Sequence, residues 1–136
     1  MNIRQTIVLA LFPFAIASCG SVRPQLCASG LQNAIQEQLY FGTEKPSGHV
    51  TPEEWAQFLS ETVTPRFPQG LTVWQASGQW LSASSEIIQE PAYVLNLIHS
   101  PDVSYESAVH EIVAVYKARF QQEAVLQIKS HVCMGL

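Results

Sequence analysis

The sequence predicts an α+β domain whose elements run β-α-β-β-α-β. Two stretches carry apolar residues at helical spacing behind helix-start signals at Thr51 and Pro101. Four other stretches alternate apolar and polar side chains with the period of a strand, and two of these sit back to back between the helices, joined by a short polar turn. That order leaves a central hairpin flanked on each side by a helix and then a strand.

The first strand is expected over residues 37–43, where Glu37, Leu39 and Phe41 alternate with Gln38 and Tyr40. Residues 44–50 hold Pro46 and Gly48 and show no pattern, so they read as a loop. Thr51, Pro52, Glu53 and Glu54 then make a capping box with proline at the first helical position, and Val50 and Trp55 are placed to form a hydrophobic staple. Trp55, Phe58, Leu59, Thr62 and Val63 recur on one helical face; Thr64 before Pro65 stops the helix. After a turn at residues 68–70, alternation resumes over 71–81, with Gly78 suggesting a bulge or a close approach. Residues 87–99 form the second strand of the hairpin, and Pro91 marks an edge position or a bulge in it. A second apolar stripe follows in Tyr105, Ala108, Val109, Ile112, Val115, Tyr116 and Phe120. Residues 125–134 close the domain as a fourth strand.

This is the order of the ferredoxin-like split arrangement, a four-stranded antiparallel sheet with two helices on one face and the last strand at an edge beside the first. The helix-facing side is assigned to Leu39, Phe41, Leu71, Val73, Leu126 and Ile128. Tyr40, Trp74, Val94, Asn96, Ile98, Lys129 and His131 are left on the open side. An open face this apolar marks a ligand or partner surface, and a homodimer paired through it is the expectation.

At 136 residues the chain has room for one domain with a real core. Charged residues make up 13% and the formal charge is −4, so no basic stripe exists to neutralise phosphates, and nucleic acid is excluded as a partner. Arg4 followed by the apolar run from Ile7 to Ala17 has the profile of a signal peptide and is too short to span a bilayer. Ile16, Ala17, Ser18, Cys19 and Gly20 resemble a bacterial lipobox, with an ordinary secretory cleavage site and an incidental Cys19 as the alternative. The expected organisation is therefore a lipoprotein signal peptide over 1–18, a lipidated tether over 19–33 starting at Cys19, and a single domain over 34–136. Each buried methylene of an acyl chain adds about 0.8 kcal/mol, so several chains on Cys19 make a lasting membrane anchor. Gly20, in place of an aspartate, directs the expectation to the outer membrane, facing the periplasm.

Cys27 and Cys133 lie near opposite ends of the mature chain, and two readings stay open for them: one disulfide, or two separate buried thiols. His49, His99, His110 and His131 lack ligand spacing, and no phosphate-cradling loop or nucleophile elbow occurs. No metal, cofactor or catalytic residue is expected. Arg66, held between Pro65 and Phe67, is a candidate for gripping a ligand carboxylate or phosphate, with a structural clamp on Glu90, Glu111 or helix-end carbonyls as the alternative. Tyr40, Trp74 and Trp80 could stack on a ligand ring, and His131 joins them as a candidate ligand-binding residue.

The segments LYFG from Leu39, VTPRFP-x-GLTV from Val63, GQW from Gly78, VLNLIH from Val94 and YKARFxQEAV from Tyr116 together resemble a bacterial family known only as domain of unknown function 3574. The resemblance implies export or lipid anchoring for many members and supplies no activity. The functional expectation is a lipid-anchored envelope module that binds a small ligand or a protein. The alternatives are a small cofactor-independent enzyme with Tyr40, Arg66 and His131 around a cavity, or a purely structural envelope protein.

Overall fold

The computed structural model describes residues 27–81 and 83–136. The expected signal peptide and Cys19 lie outside the described residues. Strand β1 (Gln32–Gly42) leads into a two-residue-per-strand hairpin, β2 (Glu44–Lys45) and β3 (Gly48–His49). Helix α1 (Pro52–Phe58) continues as a π-helical turn over Leu59–Val63; then come β4 (Thr72–Leu81), β5 (Ile87–His99), α2 (Val103–Phe120) and β6 (Leu126–Met134). The four long strands form one sheet in the order β4-β5-β1-β6, antiparallel throughout, as the ferredoxin-like arrangement requires.

Local chemistry explains the boundaries. Thr51 caps α1 by accepting the Glu54 amide at 3.2 Å, and the Glu54 carboxylate accepts the Thr51 amide at 2.9 Å in return. Lys45 adds an ion pair to Glu54 at 2.6 Å, tying the small hairpin to the helix start. Helix α2 starts on the Asp102 carboxylate, which accepts the Ser104 amide at 2.8 Å, and ends at Gln121 in the left-handed conformation, φ 56°. The first strand begins at Gln32, earlier than its alternation alone suggested, because β6 pairs with it as far back as Gln32 opposite Met134. The loop expected at 44–50 contains the β2-β3 hairpin.

The core lies between the sheet and the helices. Leu39, Phe41, Tyr93, Leu95 and Leu97 from the sheet meet Trp55, Phe58 and Val63 from the first helical segment and Val109, Ile112, Tyr116 and Phe120 from α2. Aromatic rings dominate it: Trp55 stacks on Tyr93 at 4.4 Å, and Phe41 meets Tyr116 edge-on at 4.5 Å. Cys27 and Cys133 form a disulfide, so of the two readings of these cysteines the bridge holds.

One face assignment is reversed. Leu126 opposes Tyr40, Ile128 opposes Gln38 and Val132 opposes Ala34, which puts the apolar side chains of β6 on the open side of the sheet. Gln127, Lys129 and His131 oppose Leu39, Glu37 and Ile35 on the helix side. The helix-side partners explain the inversion: Gln127 donates to the buried Glu37 carboxylate at 2.9 Å, and Lys129 pairs with Glu106 on α2. A strand at the sheet's edge receives polar side chains under the rim of the helix layer because a buried carboxylate there requires a donor.

Candidate functional site

Directly opposed residues in antiparallel strands share a face, so the register lays out the open side in rows. One row crosses all four strands as Trp74, Val94, Tyr40 and Leu126. Its neighbour reads Thr72, Asn96, Gln38 and Ile128, and the next holds Ile98, Gln36 and Ser130. None of these side chains is charged. Trp74 is 42%, Ile128 43% and Leu126 61% exposed, whereas Val94 between Trp74 and Tyr40 is 1% exposed. Val94 is absent from the helix-side core cluster. Between the second and third rows Gln36 Nε2 donates to Asn96 Oδ1 at 2.7 Å, which orients the Asn96 amide next to the aromatic row. The arrangement offers the exposed side chains of Trp74 and Leu126 with neutral donors and acceptors one row away. Such a surface is chemically suited to stacking on flat apolar groups.

The proposed ligand residues do not all meet. Tyr40 and Trp74 share the first row. Trp80 lies on the same side, opposite Ile88, but farther along the β4-β5 hairpin, where β1 no longer pairs with β5 beyond Gly42. His131 is on the helix side by the register above. Arg66 is likewise in the helix layer: Nη1 donates to the Thr62 carbonyl at 2.6 Å, and Nε and Nη2 each lie 3.0 Å from Glu111 Oε2. It closes the end of the π-helical turn and ties that end to α2, which is the clamp alternative. Tyr40, Arg66 and His131 therefore do not surround one cavity.

Two helix-side groups carry more than their sequence context indicated. Glu37 is 1% exposed with its carboxylate on Gln127. His99, also buried, has Nδ1 2.7 Å from the Ser100 carbonyl, while Nε2 has no hydrogen-bond partner. The His99 ring packs between Phe67 at 5.7 Å and Tyr105 at 4.8 Å, completing the alternation Tyr93, Leu95, Leu97, His99. That alternation was the available signal. Beside it, Lys129 donates to Glu106 and holds that carboxyl below its usual range, while the Lys129 ammonium is pushed up by the same bond. Among the described residues no group of three or more His, Cys, Asp or Glu side chains is placed to hold a metal ion, and no helix is long and apolar enough to cross a membrane.

Residues 36–136 match the model of a family described as "Protein of unknown function (DUF3574)". No curated protein matches the chain. Among solved structures, a phage SAM lyase in complex with S-methyl-5′-thioadenosine is similar at TM-score 0.54 and 12% identity, covering 82% of this chain and 95% of the lyase. The same lyase in its apo state gives TM-score 0.53 at 12% identity, with 84% and 97% covered. A B. subtilis GlnK-ATP complex follows at 0.48 and 10%, with 78% and 85% covered. At 12% identity the likeness to the lyase is one of fold.

Proposed function

The chain belongs to the DUF3574 family of proteins of unknown function, and on that footing we propose that it is a lipid-anchored module of the bacterial cell envelope whose open sheet face binds a small ligand with a flat apolar part. The observation that carries the binding role is the uncharged row Trp74, Val94, Tyr40 and Leu126, in which Trp74 and Leu126 are exposed on the sheet face opposite the helix-covered core. Exposed apolar surface of this extent is costly to keep in water unless something uses it. The lipobox-like stretch ending at Cys19 supports the anchor, and Gly20 after it supports the outer membrane, facing the periplasm.

The two parts are tested separately. For the anchor, the wild-type chain fractionates with membranes and Cys19→Ser releases it to the soluble periplasmic fraction; equal partition of both would end the lipoprotein reading. For the face, the exported Cys19→Ser chain is titrated with 1-anilinonaphthalene-8-sulfonate, an anionic probe whose naphthalene ring is flat and apolar. Enhanced probe fluorescence is expected and is lost in Trp74→Ser and in Tyr40→Ser, with near-ultraviolet circular dichroism confirming that both variants are folded. A response unchanged by either substitution would sink the proposed face.

A further inference from the structure

The sheet has two edges, and they are defended unequally. The β6 edge carries Lys129 and His131 and is stapled by Cys133. The β4 edge, Thr72–Leu81, is ten residues long and contains no charged residue and no proline. Natural edges are usually blunted by lysine, proline, bulges or brevity, and an undefended one is a template for another strand. Even on the hairpin that β4 shares, the guards are on the other strand, where β5 has Glu90 and Pro91.

The backbone of β4 is oriented to pair outward. Ser77 opposes Pro91 in the register. The Pro91 carbonyl accepts the Thr43 hydroxyl at 2.7 Å, from the side of β5 where β1 lies. Because the N–H and C=O of one strand residue point to the same side, Pro91 and Ser77 are a non-hydrogen-bonded pair, and the amide and carbonyl of Ser77 point to the free edge. By alternation those of Val73, Gln75, Gln79 and Leu81 do too.

The occupant of this edge is written in its sequence. From Val73 to Leu81 the strand reads V-W-Q-A-S-G-Q-W-L, a near-palindrome centred on Ser77. We propose that two copies of the chain pair β4 with β4, antiparallel about a two-fold axis at Ser77, forming one continuous eight-stranded sheet. Ser77 then faces Ser77 of the second copy across a hydrogen-bonded pair. Trp74 faces Trp80, Gln75 faces Gln79, Ala76 faces Gly78 and Val73 faces Leu81, so each side chain meets its own kind or size. A two-fold contact must be complementary to itself, and a palindromic strand satisfies that requirement residue by residue. Both tryptophan pairs fall on the open side, because Trp74 and Trp80 share that face. The second copy expected on the open face is thereby placed at the edge instead, and the face stays available to ligand. Neither the lipid anchor nor the ligand enters this inference.

The test uses the full chain expressed in cells. Ser77→Cys treated with a short bismaleimide, which spans the wider spacing of a hydrogen-bonded pair, is expected to give a covalent dimer on a denaturing gel, with the 77–77 linked peptide identified by mass spectrometry. Adding Gln75→Lys and Gln79→Lys places like charges opposite one another and should abolish the covalent dimer. Gln75→Lys combined with Gln79→Glu should restore it, because each lysine then faces a glutamate. Light scattering of the detergent-solubilised wild type should give a dimer mass and the double-lysine chain a monomer mass. Absence of the 77–77 link, or a dimer that survives the double-lysine change, would overturn the proposal. Restoration by the opposite-charge pair separates lost pairing from lost folding.

Discussion

Tyr116 is where the helix layer is bonded to the sheet through a single polar atom. It is fully buried, packs on Phe41 and Phe58, and its hydroxyl donates to the Gly42 carbonyl at 2.8 Å. Tyr116→Phe keeps the ring and leaves that carbonyl without its donor, which should cost about 1–2 kcal/mol in urea unfolding. The same variant has a pH signature. Burial, followed by the nearby Tyr93, Glu90 and Glu54, holds the Tyr116 phenol well above its ordinary value. A group whose pKa is higher in the folded state supplies stability that is present below its unfolded value, about 10, and fades as pH rises toward the folded one. Wild-type stability should therefore decline above about pH 10, and the decline should be shallower in Tyr116→Phe. Parallel profiles for the two proteins would refute this assignment. Arg66 illustrates the opposite case at this scale. Its rigid, proline-flanked setting drew attention to ligand binding, yet the same rigidity serves to aim the guanidinium at Thr62 and Glu111.

Among the elements, β6 is the one whose side chains can be tested for facing. Gln127 on the helix side satisfies Glu37, whereas Ile128 on the open side is 43% exposed. Gln127→Leu should destabilise by about 1–3 kcal/mol, because a buried carboxylate loses its donor. Ile128→Ser should cost under about 1 kcal/mol, well short of the 2–5 kcal/mol of a truncated core aliphatic. The reverse ranking in thermal or urea unfolding would restore the original facing of β6. This element also shows how far the sequence could be read. The element order, both helix starts and the hairpin followed from local signals, namely the Thr51 box, the Asp102 region and the period-two alternation, so the fold was legible. The facing of β6 was not, because an alternating strand has two equivalent ways to face, and hydrophobicity chooses correctly only when the apolar side is the buried one. Here a buried glutamate on the neighbouring strand decided it. The aromatic pair Tyr40 and Trp74 was legible for the complementary reason: each is flanked by apolar residues that do face the core, Leu39 and Phe41 around Tyr40 and Leu71 and Val73 before Trp74.

For the whole molecule, the disulfide and the hairpin stand at opposite ends of β1. Cys133 opposes Asn33 near the strand's start, and Ala92 opposes Gly42 at its finish, beyond which β4 and β5 continue as a pair. The bridge joins residues 106 apart, so it encloses almost the entire described chain. In the chain-entropy view such a loop restricts the unfolded ensemble by up to about 4.7 kcal/mol, and removal of native bridges typically costs 2–5 kcal/mol. A single small domain has a total stability of only about 5–15 kcal/mol, so the bridge holds a large fraction of it. Its position also sets where the fold yields. β6 is an edge strand held on one side by β1 alone, and its last residues are tied to the start of β1 through Cys133. Reduction should lower the urea midpoint by an amount equivalent to about 2–5 kcal/mol. Hydrogen exchange should rise first in residues 27–34 and 130–134, while β5, paired on both sides, keeps its protection. Uniform loss of protection across the sheet would mean that the bridge supports the domain as one cooperative unit. An unchanged midpoint would mean that the aromatic core alone carries the fold, with the bridge reduced to fixing the point at which the chain leaves the domain toward Cys19.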